Sequence, residues 1–341
     1  MEPVVSSSES IAAAARARDQ GSAAGVSLLG RDLLSIADLS RAEIDRVLDR
    51  ATDLKVELRS EGHHPSRPLA GRTLAMLFEK PSLRTRVTFE AGMSQLGGHA
   101  IVLGAEDVGL GVRESVADVA HNLDRWVDGI TVRTFAHAIV EELAREASIP
   151  VVNALTDHEH PCQALADLLT LREHFGRLDG LVVAFVGDGN NVFHSLALAG
   201  AIQGLEIRIA HPDGYGPDAD VIGRARMLAE EGHGRLVLGS DPHSVVVGAD
   251  AIYTDTWTSM GQEAEVAERR VAFRGFTVDS TLLAGAGSHA VVLHCLPAHR
   301  GEEITSEVLD GPRSLVLDQA ENRLHVQKAW LAESIPHVAG R

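Results

Sequence analysis

Apolar positions along this chain recur with two different periods, and the switches between them mark out its elements. Leu39 to Leu58 carries helical spacing, opened by Ser40-Arg41-Ala42-Glu43 with the serine and glutamate of a capping box. Leu74 to Phe78 is an unbroken apolar run of strand length, and Arg84 to Leu96 returns to helical spacing until Gly97-Gly98 stops it. A strand at Ala100 to Leu103, a glycine-containing mobile loop at Glu106 to Glu114 and a helix at Ser115 to Trp126 follow. Strands at Gly129 to Arg133 and Val151 to Asn153 come next, and then His160-Pro161-Cys162-Gln163 opens a long helix, with proline at its first position and Gly176 at its end.

The second half restarts the pattern. Leu181 to Val186 reads as a strand, Gly187 to Asn191 as a tight turn, Val192 to Gln203 as a helix stopped by Gly204, and Glu206 to Ala210 as the next strand. Ala251 to Thr254 and Ala290 to Leu293 are further buried strands; a short apolar run, Leu315 to Leu317, precedes a closing helix from Gln319 to about Ser334. Strands alternating with helices in both halves predict an α/β protein of two domains, each with a mostly parallel sheet flanked by helices. A chain of 341 residues has room for both.

Composition narrows the function. A hydrophobic content of 45% is that of an ordinary globular protein, and no apolar run approaches a membrane span. The net charge of -17 disfavours nucleic acid as a partner, and two distant cysteines, Cys162 and Cys295, suit a reducing cytosol better than a disulfide framework. Residues 1–26 are small and polar, interrupted by Glu2, Glu9 and Asp19; we expect an extension with a short helix at Ile11 to Arg18, and neither a secretory signal nor a transit peptide.

Candidate chemistry gathers where strands end. Ser82 stands at an N-cap position, so the first turn after it offers free backbone N–H groups, two hydroxyls (Ser82, Thr85) and the Arg84 guanidinium, which together suit an anion. Arg86 lies four residues before Glu90 and is accounted for by that pair. Arg133 closes a buried strand, where open α/β sheets hold ligands, and His160 and Gln163 share one face of a helix N-terminus. His160 also reads as a simple helix cap or, with His158 and Cys162, as a zinc ligand, although that spacing is not a standard zinc pattern. Gly187-Asp188-Gly189 raises a nicotinamide dehydrogenase as a competitor, but the third glycine is missing and His211-Pro212 stands where a ribose-binding carboxylate belongs. Cys295 reads equally as a small apolar residue at a strand end.

Five of these stretches resemble, in the same order, the signatures of the aspartate and ornithine carbamoyltransferases: Ser82-Leu83-Arg84-Thr85-Arg86, His160-Pro161-Cys162-Gln163, Asp255 with Ser259-Met260-Gly261, His294-Cys295-Leu296-Pro297 with Gly301-Glu302-Glu303-Ile304, and the Gln319 to Arg323 helix start. The third and fourth resemble the ornithine branch. The resemblance implies transfer of the carbamoyl group of carbamoyl phosphate to the δ-amino group of L-ornithine, giving L-citrulline and phosphate for arginine biosynthesis. It also implies no cofactor or metal, a cytoplasmic homotrimer or multiple of trimers, and two long helices joining the domains. Residues 27–160, completed by the C-terminal helix at 319–341, are then expected to bind carbamoyl phosphate, and 161–318 to bind ornithine.

Carried over residue by residue, the resemblance assigns carbamoyl phosphate to Ser82, Leu83, Arg84, Thr85, Arg133, His160, Gln163, Cys295, Leu296 and Arg323. It assigns ornithine to Asn191, Asp255, Ser259 and Met260, and the chemistry to Cys295, Asp255, Arg133 and His160. Two departures stand out: Leu83 replaces a common threonine, and the 106–114 loop lacks the glutamine that many members place in a neighbouring subunit's site, leaving Arg113 as the substitute. A carbamoyltransferase acting on putrescine or N-acetylornithine is the alternative within the family, and a non-catalytic paralogue the alternative outside catalysis.

Overall fold

The computed structural model describes residues 27–336, so the expected N-terminal extension with its short helix, and positions 337–341 of the expected closing segment, lie outside the described residues. Four strands, β1 (Thr73–Phe78), β2 (His99–Gly104), β3 (Gly129–Arg133) and β4 (Val151–Leu155), form a parallel sheet in the order β2-β1-β3-β4. Five more, β5 (Val182–Val186), β6 (Glu206–Ala210), β7 (Arg235–Gly239), β8 (Ala251–Thr254) and β9 (Val291–His294), form a second parallel sheet ordered β7-β6-β5-β8-β9. Helices cover both faces of each sheet, which is why β1, β3, β5 and β8 are almost continuously apolar rather than alternating.

The principal helices are α1 (Arg41–Glu61), α2 (Leu83–Gln95), α3 (Val116–Trp126), α4 (His137–Glu146), α5 (Pro161–Phe175), α6 (Asn191–Gln203), α7 (Ala219–Gly232) and α8 (Val316–Ser334). Local chemistry sets their ends. Ser40 and Glu43 close the capping box on α1; Gly62 and Gly176, both left-handed, end α1 and α5. The long helices α5 and α8 lie against each other between the sheets, and α8 also packs on α1 and α2. One apolar core therefore runs from the first sheet through α1, α5 and α8 to the second, while separate cores fill the outer face of each sheet.

Two expectations need correction. The Leu315 to Leu317 run is no separate element: α8 begins at Val316, and its first turn absorbs the run while Val292 bridges to Ser314 beside it. The 106–114 stretch is not loop throughout, because Ala105–Val108 forms a helical turn whose Asp107 carboxylate accepts the Gly104 N–H before Gly109 and Gly111 reverse the chain in the left-handed region.

The α8 contact contains a buried cation. Lys328 is fully buried; its ammonium donates to His64 Nε2 and Gln95 Oε1, both at 2.9 Å, while His64 Nδ1 donates to Glu57 at 2.5 Å. Burial, opposed by Glu57 and Glu321, lowers the Lys328 pKa from 10.5 to about 8. Between those values the unfolded chain holds a proton that the folded chain has released, so this residue's contribution to stability rises with pH across that window. Urea unfolding of wild type and Lys328→Met is expected to show wild type gaining on the variant from pH 8 to 10; a difference independent of pH contradicts the assignment.

Candidate active site

The chain order of each sheet reverses direction once, between β1 and β3 in the first and between β5 and β8 in the second. Open parallel sheets bind ligands at the carboxyl ends of strands beside such a reversal. The carboxyl ends of those four strands and the segments that leave them carry Ser82 to Thr85, Arg133, the Gly187 to Asn191 turn and Asp255. The two long helices and the segment after β9 supply the rest.

An arginine cluster dominates the first half of the site. Arg323 of α8 is buried and donates to Gln163 Oε1 at 2.6 Å, His160 Nε2 at 3.2 Å and Thr85 Oγ1 at 3.1 Å. Arg133 is buried as well; burial first, then repulsion from Arg323 and Arg84, lowers its pKa to about 10. Its Nε, the Nε of Arg323 and the Nδ1 of His160 have no hydrogen-bond partner among the described residues. Burial followed by the three guanidiniums holds His160 well below its usual pKa, so it is a neutral imidazole. Because Nε2 accepts from Arg323, the proton sits on Nδ1. Among the described residues no carboxylate makes an ion pair with Arg84, Arg133 or Arg323, and three cations gathered in this way suit an anion.

Ser82 takes the N-cap position of α2, but its hydroxyl makes no cap bond: the backbone there is extended, at φ −159° and ψ 108°. The first-turn amides and the Ser82 hydroxyl thus stay available to a ligand. Leu83 is 74% exposed, and the Arg86–Glu90 pair forms at 3.5 Å.

A carboxylate and a thiol define the second half. Asp255, just after β8, accepts from Cys295 Sγ at 2.9 Å on one oxygen and from Asn190 Nδ2 at 2.8 Å on the other. Asn190 is fixed in that orientation because its Oδ1 caps α6, accepting from the Val192 and Phe193 N–H groups. Burial, then the Asp255 charge, raises the Cys295 pKa well above 9.0, so the group is a thiol donating to a carboxylate rather than a thiolate. Leu296 has φ +57°, in the left-handed region, and its N–H is held by His294 Nδ1 at 2.8 Å; His294 Nε2 donates to buried Glu303 at 3.0 Å. Burial also lowers the Arg84 pKa, and the Asp255 carboxylate opposes that shift, so the guanidinium of Arg84 is within electrostatic reach of the second half.

The structure therefore unites Arg84, Thr85, Arg133, His160, Gln163, Arg323, Asp255 and Cys295. Met260 joins them through its sulfur, 4.0 Å from the Arg133 guanidinium, on a loop in which Gly261 is left-handed at φ +95°. Asn191 does not present a free amide: Nδ2 donates to the Thr156 carbonyl at 2.5 Å, and it is Asn190 that reaches Asp255. The Ser259 N–H is taken by Gln262. Arg113 turns back to its own loop, donating to the Asp107 carbonyl at 3.4 Å.

Neither competing reading gathers its atoms. Cys162 faces the Asn153 carbonyl, His158 makes tilted ring contacts with His137 and His194, and His160 faces Arg323, so the three do not converge on a metal. Asp255, His294 and Cys295 do bring ligand-type atoms within 4.8 Å of one another, but both nitrogens of His294 are already committed to hydrogen bonds. The Gly187 to Asn191 turn is packed for protein: a Cβ at residue 189 would meet Pro217 N at 2.2 Å, and Asn190 already caps the first amides of α6 that a pyrophosphate would need.

This is the architecture and cation cluster of an anion-using α/β transferase. Residues 31–173 match the carbamoyl-P binding domain, and residues 179–333 the Asp/Orn binding domain, of aspartate/ornithine carbamoyltransferases; the chain belongs to that family. It is 51% identical over 308 residues to the ornithine carbamoyltransferase of Anoxybacillus flavithermus, covering 90% of this chain and 98% of that one. With the Acidothermus cellulolyticus ornithine carbamoyltransferase it shares 52% identity over 312 residues, 91% of this chain and 98% of the relative. Among solved structures, the ornithine carbamoyltransferase from Pyrococcus furiosus superposes with a TM-score of 0.89 at 50% identity, over 93% of this chain and 99% of that one.

Proposed function

We propose that the chain is an ornithine carbamoyltransferase, forming L-citrulline and phosphate from carbamoyl phosphate and L-ornithine. The observation that carries this reading is the juxtaposition of the Asp255–Cys295 pair with an arginine cluster that has no ion-paired carboxylate among the described residues. Relatives about half identical over nearly the whole chain support the choice of ornithine.

In this reading Ser82, the Leu83 and Thr85 amides, Arg84 and Arg323 hold the phosphate, whose roughly two negative charges offset the repulsion among the guanidiniums. Gln163, with the Cys295 and Leu296 backbone, orients the carbamoyl amide. Arg133, neutral His160 and the Thr85 hydroxyl stabilise the oxyanion as the amine's lone pair forms the new C–N bond; collapse breaks the C–O bond and phosphate leaves with that electron pair. Asp255 receives the δ-ammonium end, with Met260, Ser259 and Asn191 toward the amino-acid end. Presenting an amine of pKa about 10.4 unprotonated near pH 7.4 costs about 4 kcal/mol. Asp255 lowers that cost by taking the proton, and the Cys295 thiol, a donor in this geometry, aims the carboxylate. The amine supplies the electrons and phosphate removes them, so the reaction needs no redox group.

Residues 27–160, completed by the C-terminal helix at 319–341, then form the carbamoyl-phosphate domain and 161–318 the ornithine domain, whose closure expels water and aligns the reactants. We assign a homotrimer, or a multiple of it, in the cytoplasm; among the described residues no helix is long and apolar enough to cross a membrane. The test is product formation with ornithine, putrescine, N-acetylornithine and aspartate offered separately, with and without chelator. Citrulline from ornithine alone, unchanged by chelator, is expected; preference for another amine overturns the assignment of the Asp255 to Met260 loop.

A further inference from the structure

Behind the two halves of the site lies a buried polar network that substrate contact does not explain. Asp167 of α5 is wholly inaccessible, and its Oδ1 accepts from Gln163 Nε2 at 2.8 Å, Gln319 Nε2 at 2.6 Å and the Tyr253 hydroxyl at 3.4 Å. Gln319 Nε2 also donates to the Tyr253 oxygen at 3.1 Å, and Gln319 Oε1 accepts the backbone N–H of His294 at 2.9 Å. Gln163 Oε1, at its other end, accepts from Arg323 at 2.6 Å.

Each amide is thereby locked at both ends. A flip of Gln163 would set its oxygen against a carboxylate and its NH2 against a guanidinium; a flip of Gln319 would set oxygen against the same carboxylate and NH2 against a backbone N–H. Gln163 belongs to the arginine side. Gln319 holds the residue immediately before Cys295, whose loop is further pinned by the Leu296 N–H on the His294 ring.

We propose that Asp167 is a positioning residue that sets the arginine side and the Cys295 loop against each other, through Gln163 on one side and Gln319 on the other. The inference rests on the ornithine carbamoyltransferase reading. Its support is geometric: one oxygen of one carboxylate is the common acceptor for side chains from α5, β8 and α8, and Oδ2 has no partner among the described residues. Burial raises the Asp167 pKa to about 7 against the pull of these donors, the cost of keeping such a group where it is.

The test separates the two arms. In Gln319→Met the Gln163 lock survives, so the Kd for carbamoyl phosphate is expected to stay within about threefold while kcat/KM for ornithine falls by at least about thirtyfold. Asp167→Leu, which removes the acceptor that all three donors share, is expected to damage both. Asp167→Asn keeps an acceptor oxygen at the Oδ1 position and is expected to recover activity to within about tenfold of wild type. Thermal melting accompanies each variant; should Asp167→Leu fail to fold, Gln319→Met and Asp167→Asn carry the test. Wild-type ornithine kinetics in Gln319→Met, or losses that track melting temperature equally for both substrates, overturn the proposal. If wild type itself makes no citrulline, the functional reading fails first, and the two failures are distinguishable.

Discussion

Arg133→Ala is expected to lower kcat/KM by roughly 10²–10³, the usual loss when one preorganised donor to a developing oxyanion is removed, while leaving the fold as stable as wild type or more so. The pairing of those outcomes is what makes the prediction specific. Arg133 is buried, its Nε has no acceptor among the described residues, and Arg323 and Arg84 repel it. Within the folded chain it is a destabilising group, so deleting it relieves desolvation and like-charge repulsion at once. A structural arginine would behave oppositely, losing melting temperature first and activity only in proportion. Steady-state kinetics together with thermal unfolding, with and without carbamoyl phosphate, checks this. Wild-type turnover, or a large fall in melting temperature, contradicts the role.

Asp255→Asn is expected to have the second large effect, a loss of roughly 10²–10⁴ in kcat/KM for ornithine, the range for removing a positioned general base, with carbamoyl phosphate affinity changed only a few-fold. The variant keeps an oxygen for one of the two donors, Cys295 and Asn190, but loses the charge that attracts an ammonium and accepts its proton. It also carries a second, independent readout. The Asp255 charge stands behind burial among the causes that raise the Cys295 pKa, so removing it brings the thiol's titration to lower pH. Alkylation of Cys295 followed against pH should show that shift. An unshifted profile would mean that the thiol and carboxylate do not communicate in solution, and the Cys295 assignment would fall with it.

The strands that support the site, β1, β3, β5 and β8, are legible from their apolar runs because both of their faces are covered, so no alternation obscures them. Among the elements that the pass along the chain leaves unmarked are the helices α4 and α7 and the edge strand β7, whose burial pattern is broken. The α4 start lacks a capping side chain, since Ala136 occupies that place; α7 does have Asp218 as its cap, a local signal that was available.

Within the site, the residue types and motif order point to an anion, an amine and the family. Asn190 was hidden beside Asn191 because adjacent residues at a helix start diverge: one caps the helix and reaches Asp255, the other bonds Thr156. Asp167, Gln319, His294 and Glu303 were invisible as partners because nothing local to α5, α8 or the end of β9 shows that their side chains meet.

By itself, then, the sequence determines local periodicity, helix ends, the inventory of cations and the signatures that assign the family. Those properties depend on residues a few positions apart. Tertiary structure alone decides that Arg323 donates to Gln163, His160 and Thr85, that the Cys295 thiol donates to Asp255, and that a single buried carboxylate, Asp167, accepts from both Gln163 and Gln319. Each of these depends on distances across elements far apart in the chain, and on burial, which converts ordinary side chains into groups with shifted protonation and few alternative partners.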